Sequence, residues 1–170
     1  EISAEKGISV DEEGFAALMK EQKERARKAR SFATDYMGGG ADLGEILDKT
    51  VKTEFVGYGC TDSEVEIAYI IKDTEAVSEI SGGKAVLVLN KTPFYAEAGG
   101  QVGDSGVITT ATGVFKVEDT KKTPDGQYLH FGELAEGVVS LGAAKASVCA
   151  CRRAAIARNH SAAHLLQAAL

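Results

Sequence analysis

Glu64-Val65-Glu66-Ile67-Ala68-Tyr69-Ile70-Ile71 alternates charged and apolar residues, then closes on an unbroken apolar run. A period of two marks a strand with one wet face, and β-branched Val and Ile suit a pleated surface. Similar pieces follow. Lys84 to Leu89 is apolar and rich in β-branched residues, and Gly106-Val107-Ile108-Thr109-Thr110 and Gly113-Val114-Phe115-Lys116-Val117 flank a short turn. Thr123-Pro124-Asp125-Gly126 is a turn with a mechanism, Pro presetting φ and Gly permitting positive φ. Gln127 to Phe131 and Ala144 to Ala150 supply further strands. Six or more short strands with no helical pattern between them predict a small antiparallel barrel over roughly residues 42–150.

On either side of the barrel the period changes to that of a helix. Residues 9–34 place Phe15, Leu18, Met19, Gln22, Ala26, Ala29 and Phe32 at three- and four-residue spacing, behind a Ser9/Glu12 capping box. The opposite face is charged, with Glu21/Arg25 and Glu24/Lys28 at helix-neighbour spacing. That face is either solvated or, at its basic end, in contact with RNA. Gly38-Gly39-Gly40 ends the pattern as a hinge. After Cys151, residues Ala155, Ile156, His160, Ala163, His164, Gln167 and Ala168 again follow helical spacing. The expected fold is therefore α+β: a long N-terminal helix, a small antiparallel β-barrel and a C-terminal helix.

Composition narrows the class. With 170 residues, 44% hydrophobic and 26% charged, the chain is neither disordered nor a fibrous or disulfide-scaffold protein. No apolar run approaches the ~20 residues of a membrane span, and no basic-then-apolar leader is visible. Three cysteines, Cys60, Cys149 and Cys151, fit a reducing compartment, and a cytoplasmic location is expected. The C-terminal helical pattern has no stop signal and leaves Leu165, Leu166 and Leu170 uncovered, so a segment of a longer polypeptide is expected. The same leucines are a candidate self-association face. The net charge of −6 is uneven: residues 137–170 hold no Asp or Glu and carry +4 through Lys145, Arg152, Arg153 and Arg158, so the first 136 carry −6 − 4 = −10. The basic segment is read either as a phosphate-contacting edge or as a largely buried stretch.

Two motifs can carry chemistry. His160 and His164 lie one helical turn apart, a spacing that projects both rings from one face toward a shared metal; two unrelated helix histidines are the alternative. No Glu stands between them, so the metalloprotease pattern with its built-in base is not met. Other donors for a third or fourth ligand are His130, Cys60, Cys149 and Cys151, although Cys149 and Cys151 read better as a small apolar pair on a strand. The second motif is Pro93-Phe94-Tyr95-Ala96-Glu97-Ala98-Gly99-Gly100-Gln101-Val102-Gly103-Asp104-Ser105-Gly106. Its glycines allow close backbone approach to a phosphate or sugar, or they simply turn barrel corners. It is neither a Walker loop nor a dinucleotide fingerprint.

Together these residues resemble the alanyl-tRNA synthetases. The likeness runs from Val10-Asp11-Glu12-Glu13-Gly14-Phe15, with Met19, Gln22, Arg25 and Arg27, through Phe55-Val56-Gly57-Tyr58 and the glycine-rich motif. It ends at Arg152-Arg153 and Asn159-His160-Ser161-Ala162-Ala163-His164-Leu165-Leu166. It implies a helical linker (residues 1–40) at the end of the tRNA-recognition region, a β-barrel (41–151) and the truncated first helix of the editing core (152–170). The parent would charge tRNA(Ala) using ATP and Mg2+ and hydrolyse seryl- or glycyl-tRNA(Ala). A pocket fitted to alanine rejects a substrate lacking one methyl by only ~1–3 kcal/mol, so a second, hydrolytic sieve is needed. The resemblance further implies that His160 and His164 are two of four Zn2+ ligands, with the others downstream in a Cys-x-x-x-His. It makes Gly99, Gly100, Gln101, Arg152, Arg153 and Arg158 candidate tRNA contacts and places no catalytic residue in this segment, which alone is expected to be inactive. Two positions depart from the family: Cys149 stands where Asp is usual, and Ala163 where Thr is common. A free-standing editing hydrolase and a non-catalytic RNA-binding barrel are the alternative functions.

Overall fold

A computed structural model describes Gly14, Leu18, Met19, residues 46–48 and residues 51–169. By its contacts the chain divides into two units, Glu1–Gly40 and Ala41–Leu170. In the first, Gly14, Leu18 and Met19 are helical; the rest of the helix expected over residues 9–34, and the Gly38–Gly40 hinge, lie outside the described residues.

In the second unit the strands are β1 (Glu54–Phe55), β2 (Asp62–Lys72), β3 (Glu75–Val77), β4 (Glu79–Ile80), β5 (Lys84–Leu89), β6 (Lys91–Thr92), β7 (Gly106–Thr109), β8 (Gly113–Lys122), β9 (Tyr128–Gly137), β10 (Val139–Ser140) and β11 (Gly142–Val148). Helix α1 (Ala150–Ala169) follows directly. The sheet order β11-β7-β8-β9-β5-β2 closes because β11 also pairs with β2, Gly142 opposite Ile67 through Ser147 opposite Asp62. Six antiparallel strands thus form a barrel with no open edge between β2 and β11, and closure removes the edges that would recruit other strands. A parallel two-residue pair, β1 with β6, and an antiparallel one, β10 with β4, sit beside it.

Inward residues form one core: Val65, Ile67, Ile70, Leu87, Leu89, Phe94, Ile108, Phe115, Val117, Ala146 and their neighbours. The apolar close of β2 has a physical cause. The β2–β5 register shifts between Ile67 and Tyr69, so Ile70 re-enters the core. Ile71 and its partner Val86 occupy the opposite face and are fully buried as well. Strand β5 is therefore apolar on both faces, which is why its sequence reads as a continuous run.

The strand expected to reach Ala150 ends at Val148. The Arg153 N–H donates to Cys149 O at 3.0 Å, the first turn of α1, so Cys149 is the residue capping the helix and Cys151 lies inside it. The reading of these cysteines as a small apolar pair on a strand is corrected accordingly: both are exposed and neither packs in the core.

Candidate functional site: a glycine turn against the histidine helix

The glycine-rich segment is a loop closed at its base. Asp104 N–H donates to Tyr95 O at 2.9 Å, and Tyr95 N–H donates to Asp104 Oδ2 at 2.7 Å. At its tip Ala98 and Gln101 bond reciprocally, at 3.2 and 2.9 Å, around Gly99 (φ +59°) and Gly100 (φ +84°). Two successive positive φ values define the turn type that needs residues without a Cβ. Among the described residues the Gly99 and Gly100 N–H groups have no hydrogen-bond partner, so the exposed tip carries two unpaired donors. Gly103 has another reason to be glycine: a Cβ there would sit 2.5 Å from Thr120 O and 2.6 Å from Asp119 Oδ1. Asp119, below the loop, has its carboxyl pushed up by burial, with the Thr120 N–H opposing that shift.

Helix α1 runs past this loop. Gly99, Gly100, Gln101 and Val102 on one side and Ile156, Asn159, His160 and Ala163 on the other line an open pocket of about 330 Å³. The helical period explains the second set, since residues three and four apart share a face. His160 and His164 are exposed, their rings 4.6 Å apart and their Nε2 atoms 3.0 Å apart. Nitrogens bound tetrahedrally to zinc at ~2.0–2.1 Å stand about 3.3 Å from each other, so this pair fits two corners of such a site with a small ring rotation. Among the described residues no set of three or more His, Cys, Asp or Glu gathers to complete it. Two imidazoles are a donor set suited to Zn2+, and here they stand as a pair.

The other candidate donors are elsewhere engaged or apart. His130 is fully buried, with Nδ1 3.0 Å from Leu87 O and Nε2 2.8 Å from Thr92 Oγ1. The Cys60 thiol donates to Val56 O at 3.5 Å.

The basic residues divide by environment. Arg152 and Arg158 are exposed on α1. Arg153 turns inward: its Nε lies 3.0 and 2.9 Å from the two Asp104 carboxylate oxygens, and Nη1 donates to Gly57 O at 2.9 Å. Its Nη2 donates to Pro93 O at 2.8 Å and also to Asp104 Oδ2. The sequence reads Arg153 as a phosphate contact or as part of a largely buried basic stretch, and gives Asp104 no role. No local spacing joins residues 49 positions apart, and Asp104 is one of two acids, with Glu97, inside the glycine-rich motif.

With this geometry in view, the comparisons decide the family. The sequence model described as "tRNA synthetases class II (A)" matches residues 1–149. The alanine–tRNA ligase of Acetivibrio thermocellus is 47% identical over 177 aligned positions, which cover 100% of this chain and 19% of that protein. The chain belongs to the alanyl-tRNA synthetases. It spans about a fifth of the length of that relative. Within this synthetase segment, α1 has no buried residue, and Leu165 and Leu166 are 72% and 62% exposed. No described helix is long and apolar enough to cross a membrane.

Proposed function

We propose that this chain is the barrel and leading editing-helix segment of a ligase that charges tRNA(Ala) with alanine, using ATP and Mg2+, and hydrolyses tRNA(Ala) mischarged with serine or glycine. The observation that carries the reading is the pocket between the Gly99–Gly100 turn and the His160 face of α1. It is supported by the 47% identity to an alanine–tRNA ligase along the whole chain.

In this reading the unpartnered Gly99 and Gly100 N–H groups and Gln101 receive the acceptor end of tRNA, and Arg152 and Arg158 contact its phosphates. Arg153 keeps at most one N–H for the same purpose, since its guanidinium already serves four acceptor atoms within the chain. His160 and His164 supply two ligands of a zinc site. Zinc bound there would polarise the ester region of the substrate. The first 40 residues serve as the linker from the tRNA-recognition region, the barrel closes with the strand ending at Val148, and α1 from Ala150 opens the editing core. The location is cytoplasmic, where the three free thiols stay reduced. The exposed Leu165–Leu166 face is the self-association surface of this chain, and a concentration-dependent sedimentation coefficient is its signature.

The test uses a full-length ligase carrying this segment. It should charge tRNA(Ala) in an ATP-dependent reaction and release serine from seryl-tRNA(Ala). His160→Ala and His164→Ala should abolish the release and leave charging intact. Equal hydrolysis by wild type and both variants would overturn the editing assignment.

A further inference from the structure

We infer that Arg153 and Asp104 are positioning residues that set the gap between the glycine turn and the histidine helix; the inference rests on the editing function proposed above. The first point is what else holds α1. From Ala157 to Ala169 every residue is exposed, so among the described residues no lateral packing fixes the direction of this part of the helix. The helix start is tied by Cys149 N–H donating to Ser105 O at 2.8 Å, which fixes a position but permits a swing about it. Arg153, one turn further on, is the second anchor. Two anchors define an axis.

The second point is what Arg153 is tied to. The Asp104 carboxylate, 1% exposed, holds the base of the glycine loop through Tyr95 N–H at 2.7 Å. The same carboxylate accepts from Arg153 Nε at 2.9 and 3.0 Å. The Asp104 carbonyl accepts from Thr120 Oγ1 at 3.0 Å and Glu97 N–H donates to Thr120 O at 2.8 Å, so the loop is pinned to β8 as well. One carboxylate thus bonds directly to the loop and to the helix. The remaining guanidinium contacts, Gly57 O and Pro93 O, come from two further segments. His160 lies seven residues beyond Arg153, about 10 Å along the axis at ~1.5 Å per residue. A small tilt at the clasp is therefore magnified at the pocket. Arginine is required because its planar fork serves four acceptors, whereas a lysine ammonium is a point charge with three donors.

The test has two arms with separate readouts. In a full-length ligase, Arg153→Lys and Asp104→Asn should lower kcat for release of serine from seryl-tRNA(Ala) by up to about a hundredfold, the order that a misplacement of ~1 Å costs. For Asp104→Asn, whose carboxylate contacts no tRNA in this reading, KM and ATP-dependent charging should be unchanged. Ile71→Val, a core truncation, serves as a control for general loosening and should leave kcat near wild type. Unchanged kcat in both clasp variants overturns the inference. In the 170-residue chain with its cysteines replaced by Ser, a nitroxide at Ala162→Cys should broaden the Gly99, Gly100 and Gln101 amides. Adding Arg153→Lys should weaken and scatter that broadening. If wild-type ligase releases no serine, the functional reading fails while the nitroxide arm still judges the clasp; identical broadening with and without Arg153→Lys overturns it.

Discussion

The Nε2 of His130 lies 2.8 Å from the Oγ1 of Thr92, and the proton between them belongs to the threonine. Leu87 O, 3.0 Å from Nδ1, can only accept, so Nδ1 carries the imidazole proton and Nε2 presents a lone pair. Thr92 Oγ1 in turn accepts from Phe94 N–H at 3.1 Å, which leaves its own hydrogen for His130. The chain Phe94–Thr92–His130–Leu87 satisfies a polar group inside the barrel, where an unpaired one costs ~1–3 kcal/mol.

Burial pushes the His130 pKa down to about 4, the bond to Leu87 O acting the other way. The unfolded chain protonates this ring near pH 6.5, so between pH 6.5 and 4 the unfolded state binds more protons than the native one. The His130 contribution is complete above pH 6.5 and is lost as pH falls toward 4, reaching about 3 kcal/mol at ~1.4 kcal/mol per unit. Urea unfolding at pH 7.5 and 4.5 should show this loss. His130→Asn, which keeps a donor toward Leu87 O without a titrating ring, should flatten the dependence; an unchanged slope would assign the acid sensitivity to other groups.

Cys149 occupies the capping position of α1, and the first turn of that helix contains no acidic residue. A thiol is a weak acceptor for the orphan N–H groups, whereas Asp at this position typically contributes ~0.5–2 kcal/mol. Cys149→Asp should raise the melting temperature by about 2–4 °C. A lower melting temperature in a calorimetric scan would show that the capping geometry at Cys149 has been misread.

The glycine loop separates two costs. Nothing lies within 4 Å of a Cβ built on Gly99, so Gly99→Ala meets only backbone strain, roughly 1 kcal/mol. Gly103→Ala instead drives a Cβ to 2.5 Å from Thr120 O, and should cost at least ~2 kcal/mol. Denaturant midpoints of the two variants should fall in that order. Equal midpoints would mean that the loop base yields as easily as its tip.

The barrel was legible because its strands alternate or run apolar between turns with a stated chemistry, as from Glu64 to Ile71 and at Thr123–Gly126. The closure of β11 on β2 was not, since register between residues 75 to 85 positions apart leaves no local pattern. The end of β11 was misplaced for a related reason. Val148, Cys149 and Ala150 fit either a strand or a helix entry, and the choice is made by distant bonds: Val148 N–H to Thr61 O and Cys149 N–H to Ser105 O. The histidine pair was visible in its spacing, and the glycine turn in its composition. Their meeting across one pocket depends on the Arg153–Asp104 clasp, which links residues far apart in sequence and gave Arg153 an exposed-looking place in a basic segment.

The central claim, that His160 and His164 act as a pair toward one divalent ion beside the glycine turn, is tested most directly by nitrogen NMR of the three histidines during Zn2+ titration at pH 7.5. The account predicts that the Nε2 resonances of His160 and His164 move together with a single midpoint while buried His130 stays still. Separate midpoints, or movement of one ring alone, would contradict it.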